Sequence, residues 1–124
     1  MKITANLMMA ELEPSVAFWQ RFGMELTVSI PHGEKMGFAM LAGDGAELML
    51  QSHASASEDV PAVEAHCRAS KAVLFVEMPD FGKVLEALGD WPVAIAQRDT
   101  FYGMREIGVI EPGGHLVVFA SRIS

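Results

Sequence analysis

Residues 69 positions apart repeat one another along most of this chain. Glu11 and Asp80 keep that distance at two helix entries, and Gly45 and Gly114 keep it at two glycine turns between apolar runs. The same offset carries Leu12 onto Phe81, Val16 onto Leu85, Trp19 onto Leu88, Leu48 onto Val117 and Met49 onto Val118, with no gap between the anchor points. A repeat of this kind restricts the chain to two copies of one supersecondary module. In the first copy KITANLMM reads as a strand. PSVAFWQRF reads as a helix, with Pro14 at its start and Gly23 after its end, and with Val16, Trp19 and Phe22 on one face. MELTVSI, MGFAML and AELMLQ read as strands, the last two joined by a turn whose glycines accept positive φ. The second copy runs from the strand AVLFVEM through a helix with Phe81, Val84, Leu85 and Leu88 at helical spacing to strands near PVAIAQR, MREIGVI and HLVVFA. Between them SHASASEDVPAVEAHCRASK has no periodic pattern and reads as a linker loop. The expectation is an α+β fold of two βαβββ modules within a single domain, 1–124. Module one spans 1–51, the linker 52–71 and module two 72–120, with half-open mixed sheets curling around a shared cleft.

Charge narrows the partners. Nine basic residues against sixteen acidic ones give a net charge of -7, without the Lys/Arg cluster that would neutralise a phosphate backbone, so the expected partner is not a nucleic acid and a cationic ligand fits better. Cys67 is the single cysteine and forms no internal disulfide. The N-terminal MKITANLMM has no apolar run long enough for a signal peptide or a membrane span, and the expected location is the cytoplasm. Hydrophobic residues make up 51% of the chain and nine are methionine, more than the core of so small a domain needs, which points to an apolar cavity or a subunit interface.

Two stretches resemble the vicinal oxygen chelate superfamily, which includes glyoxalases, bleomycin resistance proteins and extradiol dioxygenases. ELEPSVAFWQRFGMEL is similar to the family's acidic residue, short helix and glycine before the second strand. YGMREIGVIEPGGHLVVF is similar to its hairpin before the last strand. The resemblance covers nearly the whole chain and implies fold more strongly than function, because the family hosts metal-dependent isomerases, oxygenases and metal-free binders on one scaffold. It also implies where a metal would sit, with His, Gln or Glu on the first and last strands of each module. A divalent ion needs several such donors converging. At the matching positions stand Thr4, Met49, Val73 and Val118, and a shift of two residues supplies only Glu47. No metal or other cofactor is expected. The histidines do not replace the missing donors: His32 lies in a Pro-His-Gly-Glu turn, His53 and His66 in the linker, and His115 just after the hairpin glycine. Cys67 has no base paired with it by any motif.

Period-two alternation then suggests what lines the cleft. Thr4, Asn6 and Met8 share one face of the first strand, Val73, Phe75 and Glu77 one face of the fifth, and Leu116 and Val118 one face of the last. A tight Glu-Pro-Gly-Gly hairpin would pair Ile110 with His115 and Ile107 with Val118, bringing Arg105 to the same face. Phe101 and Tyr102, ahead of Gly103, are placed at the cavity rim, while Trp19 and Trp91 belong to helix packing. The ligand-binding candidates are Asn6, Met49, Phe75, Phe101, Tyr102, Arg105 and Val118. The expected function is binding of a small apolar or cationic molecule in a metal-free cleft, in a homodimer whose resemblance is to antibiotic-resistance proteins. The alternative is an enzyme. In its metal-free form Glu77 or Glu47 is a general base and Arg105 stabilises an oxyanion; a metal-dependent lyase or dioxygenase is the remaining form.

Overall fold

The computed structural model describes residues 1–123, which form two compact units that divide between Lys71 and Ala72. In the first unit β1 (Asn6–Met9), α1 (Glu13–Gln20), β2 (Glu25–His32), β3 (Lys35–Gly43) and β4 (Ala46–Ser52) make a four-stranded mixed sheet in the order β1-β4-β3-β2. In the second, β5 (Val73–Glu77), α4 (Phe81–Leu88), β6 (Val93–Asp99), β7 (Met104–Ile110) and β8 (Leu116–Arg122) repeat that plan as β5-β8-β7-β6. The outer pairs β1·β4 and β5·β8 are parallel and the others antiparallel.

Local chemistry explains the helices. Pro14 sits in the first turn of α1, where no N–H is needed, and Gly23 takes φ 86° beyond its end. The Glu13 carboxylate accepts the Met36 N–H at 2.9 Å, tying that first turn to β3. Leu12, Val16, Phe18 and Trp19 are buried with Leu7, Met9, Leu41 and Leu50 from the sheet. Side chains of this size each contribute about 1.5–3 kcal/mol when fully withdrawn from water. In the second unit Asp80 caps α4 by accepting the Lys83 N–H at 3.3 Å, and Gly89 ends the helix at φ 58°. Val84 and Leu88 are buried with Ile107, Val109, Val117 and Phe119, whereas Leu85 is 38% exposed and does not share the core position of Val16.

Two expectations need correction. The stretch 52–71 is not a loop: Ser52 caps α2 (His53–Asp59) by accepting the Ser55 N–H at 3.1 Å, a short 3-10 turn covers Pro61–Val63, and α3 (Glu64–Ala69) follows. These turns belong to the first unit, and α2 lies against β3 and β4. The second correction concerns the β7–β8 hairpin. Its loop is three residues long, not four, closed by the Glu111 N–H to the His115 carbonyl at 2.9 Å, with Gly114 at φ 94°. Ile110 therefore pairs with Leu116, Gly108 with Val118, Ile107 with Phe119 and Arg105 with Ser121. The first unit's β3–β4 hairpin has only Asp44 and Gly45 between its last paired residues. The 69-residue offset thus holds for Met49 and Val118, but Met40 corresponds to Gly108 at 68, so the repeat does contain a compensated gap.

The reason for the three-residue loop is the Glu111 side chain. It is buried and accepts the Gly113 N–H at 2.8 Å and the His115 N–H at 3.2 Å. His115, also buried, accepts the Ala72 N–H on Nδ1 at 3.0 Å, which fixes the entry to β5 and leaves this histidine a structural group.

Candidate functional site

Each sheet covers one face with its own helix, and the residues of the other face follow from the pairings. In the first unit Asn6 stands beside Met49, Met8 beside Gln51, Met40 beside Met49, and Phe38 between Ile30 and Gln51. Glu47 lies on this face too, through its pairing with Ala42. In the second unit Val73 pairs with Leu116, Phe75 with Val118 and Glu77 with Ala120, and Glu106, Gly108 and Ile110 share their face. Large apolar groups stay open to solvent there: Val73 is 68% exposed and Phe75 55%.

The sequence placed Asn6, Met49 and Glu47 together on one face and Phe75, Glu77 and Val118 on another, and the pairings do so. They do not bring Arg105 to the side of Val118. The one-residue change in register turns Arg105 to the helix-packed side, where it donates to both Asp99 oxygens at 2.8 and 3.1 Å and lines a cavity of about 500 Å³ with Asp80, Phe81 and Arg122. That ion pair holds the Asp99 carboxyl below its ordinary range and raises the guanidinium. Arg105 and Glu77 therefore lie on opposite faces of one sheet, and the acid–base arrangement expected of them does not form. Glu47 is engaged by Lys2 at 2.7 Å beside a cavity of about 660 Å³ that Thr4, Glu25 and Thr27 also line. Asn6 donates to Gln51 Oε1 at 3.0 Å.

Phe101 and Tyr102 form the β6–β7 turn, their rings edge-to-face with centroids 5.0 Å apart and Phe101 fully exposed. The sequence reading missed what holds them. Glu106 is 1% exposed on the open face of β7, where it accepts from Arg98 Nη2 at 3.1 Å and from the Tyr102 hydroxyl. The hydrogen bond to the carboxylate and partial desolvation raise the Tyr102 pKa above the usual tyrosine value. Trp91, just after α4, donates its indole N–H to the Ile110 carbonyl at the end of β7 at 3.0 Å.

A further group was hidden by reading α2 as a loop. An open cavity of about 660 Å³ lies within the first unit, floored by Ile30, Phe38 and Gln51 and walled by Ser55, Glu58 and Asp59 of α2. His32, at the end of β2, forms an ion pair with Glu58 along its edge. Ser-His-Ala-Ser at 52–55, a capping residue ahead of small helix-compatible ones, was the signal for this helix.

The donor chemistry does not suit a divalent ion. Met49 and Val118 carry a thioether and an isopropyl group, Val73 an isopropyl group and Thr4 a hydroxyl. Among the described residues no three His, Cys, Asp or Glu side chains gather as metal ligands. The single cysteine, Cys67, lies in α3.

Two βαβββ units, each a four-stranded mixed sheet with α1 or α4 on one face, define an α+β architecture. Residues 4–119 match the family model of the Glyoxalase/Bleomycin resistance protein/Dioxygenase superfamily, and the chain belongs to that family. It is similar in fold to a glyoxalase/bleomycin resistance protein/dioxygenase from Nocardioides, with 21% identity, TM-score 0.70, and coverage of 100% of this chain and 85% of that one. Lactoylglutathione lyase from Agrobacterium tumefaciens is 18% identical, with TM-score 0.71 and coverage of 98% and 92%. The bleomycin resistance determinant encoded on transposon Tn5 is 17% identical, with TM-score 0.65 and coverage of 98% of both chains. No curated protein matches the chain. At these identities the likeness is one of fold. No helix among the described residues is long and apolar enough to cross a membrane.

Proposed function

We propose that this chain is a metal-free small-molecule binding protein of its superfamily. The observation that carries the reading is the chemistry of the two open sheet faces. Phe38, Met40 and Met49 on one, and Phe75, Ile110 and Val118 on the other, stand with a few polar groups among them, Asn6, Glu47 and Gln51 on the first and Glu77 and Glu106 on the second. That mixture suits an apolar ligand body with a small number of orienting contacts. Methionine adapts its shape to such a ligand. Phe75, Val118, Phe101 and Tyr102 are the contacts assigned to the second unit, and Asn6 and Met49 to the first. The family includes a structure of a bleomycin-binding protein complexed with bleomycin, at 15% identity and TM-score 0.60, which supports a binding role on this scaffold. The protein acts in the cytoplasm as a homodimer, with no nucleic-acid partner.

The test is thermal unfolding of EDTA-treated protein with and without Mn, Fe(II), Ni, Zn and Mg. A bound native metal at 1,000 times its Kd adds about 4 kcal/mol, a rise in Tm on the order of 10 °C. The expected result is no rise with any of them, followed by a rise with members of a panel of aromatic and cationic molecules. A rise with one metal would overturn the metal-free reading. Light scattering that finds a monomer of 13.5 kDa at micromolar concentration would remove the dimer.

A further inference from the structure

We infer that the Tyr102 side chain is a gate over the open face of the second unit's sheet, latched by Glu106, and that its release sets how fast a small molecule enters and leaves that face. The inference rests on the binding reading above and adds a control that acts on rates. Register places the latch. Glu106 on β7 pairs with Arg98 on one side and Ala120 on the other, and the next row along the sheet is Gly108, Val118 and Phe75. Phe75 is 55% exposed on this face, whereas Glu106 is 1% exposed. The sheet by itself does not bare one row and shield its neighbour. The difference comes from the β6–β7 hairpin: the Tyr102 hydroxyl and Arg98 Nη2 both reach over to donate to the Glu106 carboxylate.

The turn's backbone is pinned. The Thr100 N–H donates to the Met104 carbonyl at 2.8 Å and the Ile123 N–H to the Gly103 carbonyl at 2.9 Å. The movable part is therefore the tyrosine ring. Its hydroxyl is fastened to Glu106, while its edge-to-face neighbour Phe101 is fully exposed and walls nothing in. Tyr102 is 45% exposed, so the ring has solvent to rotate into about χ1. Its departure does not strand the carboxylate, which keeps Arg98 at 3.1 Å and takes up water in place of the hydroxyl. A hydrogen bond to a charged group favours the latched form by roughly tenfold to a hundredfold. The latch needs the hydroxyl protonated, and the hydrogen bond to Glu106, with partial desolvation, holds the Tyr102 pKa above the usual tyrosine value. A ligand that passes only the open form is slowed in by that ratio. It is slowed out as well, because the latch re-forms over a bound molecule, so affinity changes little.

The experiment has two arms on the full chain. In stopped-flow mixing with the neutral fluorophore N-phenyl-1-naphthylamine, Tyr102→Phe keeps the ring and removes the latch. Its association and dissociation rate constants are both expected to rise about tenfold, with Kd changed less than about twofold. Glu106→Gln keeps a neutral acceptor and should raise both by about threefold. Damage to the fold does not speed association, and loss of a simple contact moves Kd. The second arm needs no ligand: 3-fluorotyrosine labels Tyr102 alone, the chain's single tyrosine. Its ¹⁹F relaxation dispersion is expected to show a minor released state that Glu106→Gln enlarges. Rates unchanged in Tyr102→Phe, a shift in Kd at constant association rate, or no second state in either labelled form overturns the gate and leaves the binding reading standing. Absence of saturable probe binding by the parent chain and both variants overturns that reading and the gate's control of a ligand with it.

Discussion

Replacing Glu111 with Ala removes the side chain that folds the β7–β8 loop. Two backbone donors lose their acceptor, the Gly113 N–H at 2.8 Å and the His115 N–H at 3.2 Å. Hydrogen bonds to a charged group contribute roughly 1.5–3 kcal/mol each. Gly113 is half-buried and regains water, so its share falls at the low end, while His115 is buried and its donor is left without that replacement. The expected cost is about 3 kcal/mol, or a fall in Tm of about 10 °C at roughly 3–4 °C per kcal/mol for a chain of this length. Glu111→Gln keeps one oxygen acceptor and should fall by about half as much. Circular dichroism melts give both values. Amide exchange at His115 should accelerate in the Ala variant, and the emission of Trp91, whose indole donates to the Ile110 carbonyl at the same hairpin, should shift. An Ala variant melting within about 2 °C of the parent, with His115 still protected, would refute the claim that this carboxyl sets the loop.

Tyr102 is the chain's only tyrosine, so its ionisation can be followed by tyrosinate absorbance. It should titrate above the usual tyrosine value, and Glu106→Gln should bring it down, because the acceptor then carries no charge. Since the folded value is raised, the stability this contact gives is fully present below the unfolded value of about 10 and is lost as pH rises through the folded one. A Tyr102 titration unchanged by the substitution would show that Glu106 does not hold the turn. Gly108→Ala should destabilise by about 1–3 kcal/mol in a denaturant melt, because its Cβ would meet Ile95 side-chain carbons at 2.8 Å; a neutral effect would mean that Ile95 has room to yield.

Much of the fold was readable because the repeat supplied two views of each element. A weak strand in one half was supported by its counterpart in the other, and helical spacing marked both α1 and α4. The faces of β1, β4, β5 and β8 also followed from alternation, which is why Asn6 with Met49 and Phe75 with Val118 were placed together. The position of Arg105 failed for a specific reason. Alternation gives the face of a strand only relative to its partner, and the partner is set by loop length. Glu-Pro-Gly-Gly suits a four-residue turn until the Glu111 side chain claims two of the loop's own N–H groups. The α2 helix was missed because it buries only Ala56 and leaves no apolar stripe to read. Glu106 looked like any strand glutamate, and its burial depends on Arg98 beside it and Tyr102 four residues back in the turn.

Among the described residues every strand pairing closes within its own half of the chain: β1 finds β4 by Ser52, and β5 finds β8 by Arg122. During synthesis the amino-terminal sheet can therefore satisfy its backbone while the carboxy-terminal half is still inside the ribosome. An edge strand left waiting for a distant partner invites aggregation, and this order of pairing shortens that interval for each nascent half.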